Sequence, residues 1–179
     1  FAVSHGAIAQ ETVRLTNGEW PPYQSEHLKY HGLASHIVTE AFALEGIQVE
    51  YGFFPWNRAF MLAKKGRWDG TLVWSYSEER AKDFYFSDPV IYSKWVFFHL
   101  KTTPLDWSTI DDLKDFKIGA TIGYDYGKDF QEAEKAGGID VQRVARDEQN
   151  FVKLLKGRIH IFPQDVDVGY VMINSIFTE

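Results

Sequence analysis

The chain has no cysteine among its 179 residues. Structural disulfides and thiolate-held metals are therefore excluded. An excess of positive charge is also missing: 19 Lys and Arg stand against 25 Asp and Glu, a formal net charge of -6. Binding to a phosphate backbone needs clustered bases that no stretch supplies, so a nucleic-acid partner is not expected. No apolar run approaches the roughly 18 residues that a membrane-spanning helix requires.

Several chemical signatures are missing as well. "GATIGYDYG" (119–127) places three glycines after a strand pattern, but not at G-x-G-x-x-G spacing, and Gly127-Lys128-Asp129 lacks the Ser or Thr of a phosphate loop. His27 and His31 are four apart, yet they flank a loop that ends at Gly32 and have no Glu between them as in H-E-x-x-H. No G-x-S-x-G elbow occurs. The acid-rich stretches "DDLKDF" and "DVD" read as solvated faces. No cofactor and no metal is expected.

What is present suffices for a packed core: 45% of residues are apolar and 16% aromatic. That is enough for one ordinary domain or two small ones. The first residues, "FAVSHGAIAQ", are weakly apolar and place Ala7 and Ala9 in an A-x-A arrangement before Gln10. This pattern reads as the tail of a secretory signal covering residues 1–9, with an ordinary unstructured start as the alternative.

Strand and helix patterns then alternate. "TVRLT" reads as a strand, Gly32 to Glu45 as a helix stopped by Gly46, "IQVEYGFF" as a strand, Trp56 to Lys65 as a helix and "DGTLVW" as a strand. "SKWVFFHLK" is a long extended run that leads out of this first unit. Beyond it come a capping-box start at "STIDDL", strands at "FKIGAT", "IDVQRV" and "RIHIF", and helices over Tyr126 to Ala136, Asp147 to Lys156 and Asp165 to Ser175. The expected division is a first lobe over 10–93, then a hinge strand and second lobe over 94–179. Two α/β units joined by a crossing strand invite a ligand in the cleft between them.

"NGEWPPY", "FPWNRAF", "WDGTLVWSYSEERAKDFYFSDP" and "GRIHIFPQDVD", read in order, resemble the family 3 extracellular solute-binding proteins. These are periplasmic receptors of polar amino-acid uptake systems. The resemblance runs from about Thr12 to the end of the chain. Its most specific part is "SEERAKDFYFSDP", where the family shows T-x-T-x-E-R followed by F-S-D-P. It implies an α/β, two-lobed type II periplasmic binding protein fold. It also implies a non-enzymatic function: binding a small amino acid or related carboxylate and delivering it to an ABC-type permease.

Residue by residue, the resemblance assigns the ligand's α-carboxylate to Arg80, whose planar fork can make two parallel hydrogen bonds. Ser75 matches a Thr whose hydroxyl shares that carboxylate, and a helix starting near Ser77 would add its dipole. Asp165 matches the acid that accepts the ammonium group, although it would equally serve as a helix N-cap. Asn17 stands where many relatives carry an acid. Trp20 and Trp56 match aromatic positions that sandwich the ligand side chain, with core packing as the plainer reading. Tyr124, freed to approach by Gly123, would close the site from the second lobe.

The sequence also departs from the family pattern. T-x-T becomes Ser75-Tyr76-Ser77, preceded by Val73 and Trp74 instead of small residues, and Thr121-Ile122-Gly123-Tyr124 replaces a Ser-Gly-Thr stretch. Arg58 is an extra cation for the cleft. Relatives send a second crossing segment back to the first lobe, whereas this sequence stops at "INSIFTE", so a truncated form of a monomeric, periplasmic receptor is expected. A sensory module of the same fold and a cyclohexadienyl dehydratase-like enzyme are the rival readings.

Overall fold

In β1, Thr12–Asn17, buried Leu15, Thr16 and Asn17 follow one another without alternation, the pattern of a strand covered on both faces. The computed structural model describes residues 10–177, so the expected leader over 1–9 lies outside the described residues. The strand β1 is the centre of a parallel sheet of order β2-β1-β3, with β2 at Gln48–Phe53 and β3 at Gly70–Thr71. Helices α1, Leu33–Leu44, and α2, Trp56–Lys64, bury small residues toward it: Ala34 and Ser35 from one, Ala59 and Ala63 from the other. The Thr16 hydroxyl donates to the Ala59 carbonyl at 3.0 Å, tying α2 to the central strand.

The third strand is shorter than "DGTLVW" predicts. It stops at Thr71 because Val73 has φ 55°, a left-handed conformation that takes a β-branched residue out of any ladder. The indole N–H of Trp74 returns to the Thr71 hydroxyl at 2.9 Å and fixes the bend.

The chain divides into two compact units between Ile91 and Tyr92. The second unit carries β4 (Trp95–His99), β5 (Lys117–Thr121), β6 (Asp140–Val144) and β7 (Ile161–Asp165) in the order β4-β7-β5-β6. β5 is parallel to both neighbours, and β4 is antiparallel to β7, with Trp95 opposite Asp165. Helices α3 (Lys128–Ala136), α4 (Asp147–Leu155) and α5 (Val166–Phe177) complete it. The "STIDDL" capping box is present, with Thr109 and Asp112 bonding each other, but it starts only a 3-10 turn over Ile110–Leu113.

The strand expected at "RIHIF" is displaced toward the carboxyl end. His160 leaves the ladder to exchange bonds with Lys117, its N–H donating to the Lys117 carbonyl at 2.7 Å and its ring Nδ1 accepting the Lys117 N–H at 3.0 Å. Pro163 is tolerated inside β7 because the pairing with β5 is registered at Ile118 against Ile161, before the proline.

Leu113, Ile118, Phe130, Ile139 and Ile161 form the core on one face of this sheet. Phe98, Phe151 and Phe162 stack edge to face elsewhere in the unit, with centroids 5.2–5.3 Å apart. Phe162 is fully buried, so Phe162→Ala should cost about 3–5 kcal/mol in urea melting. Leu44→Ala, on a side chain 87% exposed, should change the same melt by less than about 0.5 kcal/mol.

Candidate functional site

Strand order decides where polar groups can converge. In the first unit the chain leaves β1 for β2 on one side and later enters β3 on the other; in the second, β6 and β7 flank β5 in the same way. Loops after such central strands turn in opposite directions and leave a crevice at the carboxyl edge. The two edges are described separately.

At the first edge, Asn17 ends β1 fully buried and donates from Nδ2 to the Ser35 hydroxyl at 2.9 Å. Gly18 follows, and the Trp56 ring lies flat against it: a Cβ there would sit 2.6 Å from the ring. Trp56 meets Trp74 edge to face at 5.4 Å, and the Arg80 guanidinium stacks over Trp74 at 5.0 Å from the ring centroid. Arg80 also donates from Nη1 to the Ser75 carbonyl at 2.8 Å. Trp56, Trp74, Ser75 and Arg80 thus form one linked group.

The helix expected near Ser77 is a single 3-10 turn, Arg80–Lys82, which is too short to carry an appreciable dipole. The Ser77 hydroxyl accepts the Arg80 N–H at 3.2 Å and starts that turn. Trp20 is buried against Tyr23, at 5.0 Å between centroids, in the packed loop after β1. Arg58 is exposed and lies over the Phe54 ring at 5.2 Å. His31 packs beside Tyr51 and Phe53. Among the described residues no group of three His, Cys, Asp or Glu is arranged to hold a metal.

At the second edge, Asp165 ends β7 fully buried. Its Oδ1 accepts the N–H groups of Asp167 and Val168, each at 3.0 Å, so the N-cap reading holds. Its Oδ2 is buried and accepts no hydrogen bond from the described residues. Burial pushes this carboxyl above the usual range, against the opposing effect of the backbone N–H groups of Val168, Asp167 and Lys94.

Beside it, Gly123 adopts φ 87° and turns the chain after β5. Tyr124 then folds back and donates its hydroxyl to Asp147 Oδ2 at 2.8 Å, while the Thr121 hydroxyl donates to Asp147 Oδ1. Asn150 completes the group from the next turn of α4, donating to Thr121 Oγ1 at 3.2 Å. Burial raises the Asp147 carboxyl and raises the Tyr124 hydroxyl well above its usual value. Trp95 meets Tyr124 edge to face at 6.3 Å.

Asp147, Trp74 and Trp95 are the participants that sequence reasoning passed over. Asp147 carries the ordinary signal of an acid at a helix start, and only the packing of α4 against β5 buries it. Trp74 stands out in the sequence as a bulky residue where relatives carry a small one. Trp95 has no distinguishing signal within an aromatic strand.

Two α/β units, each built around a central strand with parallel neighbours and ending in a polar edge, constitute the type II periplasmic binding protein fold. Residues 13–168 match the bacterial extracellular solute-binding proteins, family 3, and the chain belongs to that family. Among solved structures it is similar to an ancestral arginine-binding protein bound to arginine, with TM-score 0.76 and 21% identity, covering 92% of this chain and 74% of that one. It is also similar to a histidine kinase sensor domain with similarity to periplasmic binding proteins, with TM-score 0.75 and 21% identity over 93% and 73% of the two chains. A third similar structure is an ancestral amino acid-binding protein described as a precursor of cyclohexadienyl dehydratase, with TM-score 0.71 and 20% identity over 92% and 75%. No curated protein matches. No helix among the described residues is long and apolar enough to cross a membrane.

The contact between Gly18 and Trp56 sets the first edge. Gly18→Ala should push the indole away, cost about 1–3 kcal/mol in denaturant melting and shift the tryptophan emission. Unchanged emission and stability would place Trp56 elsewhere.

Proposed function

We propose that the protein is an exported receptor that binds a small amino acid or related carboxylate and delivers it to an ABC-type permease. One observation carries this reading: a guanidinium held in place at the edge of the first unit, and a buried carboxylate with an uncommitted oxygen at the edge of the second. Arg80 is stacked on Trp74 and bonded to the Ser75 carbonyl, so its planar fork is ordered before any ligand arrives. Asp165 spends Oδ1 on the start of α5 and keeps Oδ2. A zwitterion supplies the complement of each.

In this reading Arg80 and Ser75 take the α-carboxylate, Asp165 takes the ammonium, and Trp56 with Trp20 and Asn17 shapes the side-chain end. In the same reading Gly123 and Tyr124 also contact the ligand. The leader over 1–9 would be removed near Ala9 and the monomeric receptor would work in the periplasm, which accords with an extracellular family. The similarity to an ancestral arginine-binding protein and an ancestral amino acid-binding protein adds support for the ligand class. The reading contains no covalent step, so a cyclohexadienyl acid incubated with the protein should be recovered unchanged.

The likeness to a histidine kinase sensor domain favours a second reading, a sensory module with the same ligand chemistry. Deleting the gene separates the two. Lost uptake of the bound solute supports the receptor, and intact uptake with a lost signalling response supports the sensor.

A thermal-shift screen over amino acids and small carboxylates tests the ligand class directly, since ligand at ~100 times its Kd adds ~2.7 kcal/mol of stability. For the solute so found, calorimetry should show Arg80→Ala losing about 2–5 kcal/mol of affinity, and Arg80→Lys most of that, because an ammonium cannot copy the bidentate grip. Asp165→Asn should weaken amino acids far more than their deaminated counterparts. Unchanged affinity in the Arg80 variants removes the carboxylate assignment, and equal losses for both ligand sets leave Asp165 a helix cap alone.

A further inference from the structure

The loop between β5 and α3, residues 122–127, carries Gly123 and Tyr124, and it is tied down from several directions. The Arg143 guanidinium on β6 donates to the carbonyls of Thr121 and Tyr124 at 3.0 and 3.4 Å, while its other edge grips Glu134 at 2.7–2.8 Å. The Tyr126 hydroxyl accepts the Thr121 N–H at 2.7 Å. Asp125 accepts the Gly127 N–H at 2.9 Å and the Gln131 side chain at 2.7 Å. These bonds secure the backbone and the far half of the loop. The Tyr124 side chain is secured at its tip by Asp147.

Asp147 is an unusual residue to bury. At the first position of α4 an acid is ordinarily solvated and satisfied by the helix dipole, yet this one is 5% exposed. Its two oxygens are each taken by a hydroxyl of the β5 edge, from Thr121 and Tyr124. An isolated buried carboxylate is costly, so these two donors and the acid require one another.

We propose that Asp147 is a positioning residue for ligand capture: by holding the Tyr124 hydroxyl and the Thr121 hydroxyl together, it fixes the loop that presents Gly123 and Tyr124. The proposal rests on the reading above that Tyr124 touches the ligand. Asp147 itself touches none. Its role is to order the loop in advance, so that the ligand does not supply that order from its own binding energy.

The groups facing Asp147 give this latch a pH dependence. Tyr124 and Tyr126 lie on the loop, Glu148 follows on α4, the uncharged Gln164 on β7 favours the carboxylate, and Arg143 stands behind the loop carbonyls. Net burial raises the carboxyl in the closed arrangement, and opening the loop solvates it and returns it toward about 3.9. The closed loop therefore holds the proton more tightly. Loop protection should be greatest at the acid end and fall as pH rises from about 3.9 through the raised value.

The test uses the whole chain without ligand, followed by hydrogen exchange at residues 122–127, normalised to intrinsic rates, between pH 4 and 8. At neutral pH, Asp147→Ala and Tyr124→Phe should each speed exchange in this loop by roughly tenfold or more, since each removes the Tyr124 hydroxyl's bond to the carboxylate. Exchange in β6 and β7 should stay as in the parent. Loop protection in the parent should follow the acid-to-neutral profile, and Asp147→Ala should flatten it. Equal loop exchange and equal pH profiles in parent and Tyr124→Phe overturn the proposal, even where Asp147→Ala fails to fold. Calorimetry with L-arginine, L-glutamine and the remaining common L-amino acids then separates the two readings. A loosened loop with unchanged affinity for the amino acid that binds overturns the capture role alone. Absence of binding by any of them in the parent overturns the amino-acid reading and the capture role with it, while the exchange data still decide whether Asp147 holds the loop.

Discussion

Parallel pairing on both sides of one central strand is the constraint from which each unit follows. β1 and β5 have neighbours on either side, and they are buried over Leu15–Asn17 and Ile118–Thr121. Such strands accept few polar residues until they end. Asn17 and Thr121 stand at those ends, both buried and both hydrogen-bonded sideways, to Ser35 in one case and to Asp147 in the other. Past the ends the chain must clear a crowded edge. Gly18 does so by letting the Trp56 ring approach, and Gly123 by taking a left-handed turn.

The charges at these edges are handled in different ways, each set by what lies within reach. Asp165 is met by the first amides of a twelve-residue helix, a donor set that favours the anion. Asp147 is met by hydroxyls, which offer less charge, and at both acids burial is the larger effect on the proton. Arg143 is half-buried and paired edge to edge with Glu134, the geometry in which a guanidinium loses least on ordering. By contrast, the Arg14–Asp69 pair is nearly half exposed on both partners, and water screens most of its worth.

The alternation of elements was legible because apolar periodicity and Gly or Pro punctuation agree along most of the chain. Where they failed, a local feature intervened that periodicity does not encode. Val73 breaks the third strand by its backbone conformation, and His160 leaves the seventh by bonding across to Lys117. The site divides in the same way. Arg80, Ser75 and Asp165 are candidates from motif order; the structure links Arg80 to Ser75 in the segment after β3 and puts Asp165 at the end of β7. Trp20 could be named as an aromatic, but its burial against Tyr23 places it in the packed loop. Asp147 could not be named, since its meaning comes from a contact 26 residues back in the chain.

Val73 shows why the departure at Trp74 is more than a size change. A β-branched residue in the left-handed region is strained and persists only where the surroundings over-determine it. The surroundings here are Trp74's own contacts: the Thr71 hydroxyl on its indole nitrogen, Trp56 and Phe60 on its ring edges, and the Arg80 guanidinium on its face. Each of these would be lost if Val73 relaxed and swung the indole away. The strain is thus balanced against a set of contacts that ends in Arg80, so the orientation of the guanidinium follows from the backbone of a residue seven positions earlier. A small residue at position 74 would supply none of these contacts, and the bend would have no reason to hold. The bulky indole and the strained valine are in this sense one feature, which converts a local backbone outlier into a fixed direction for the only guanidinium in its stretch of chain.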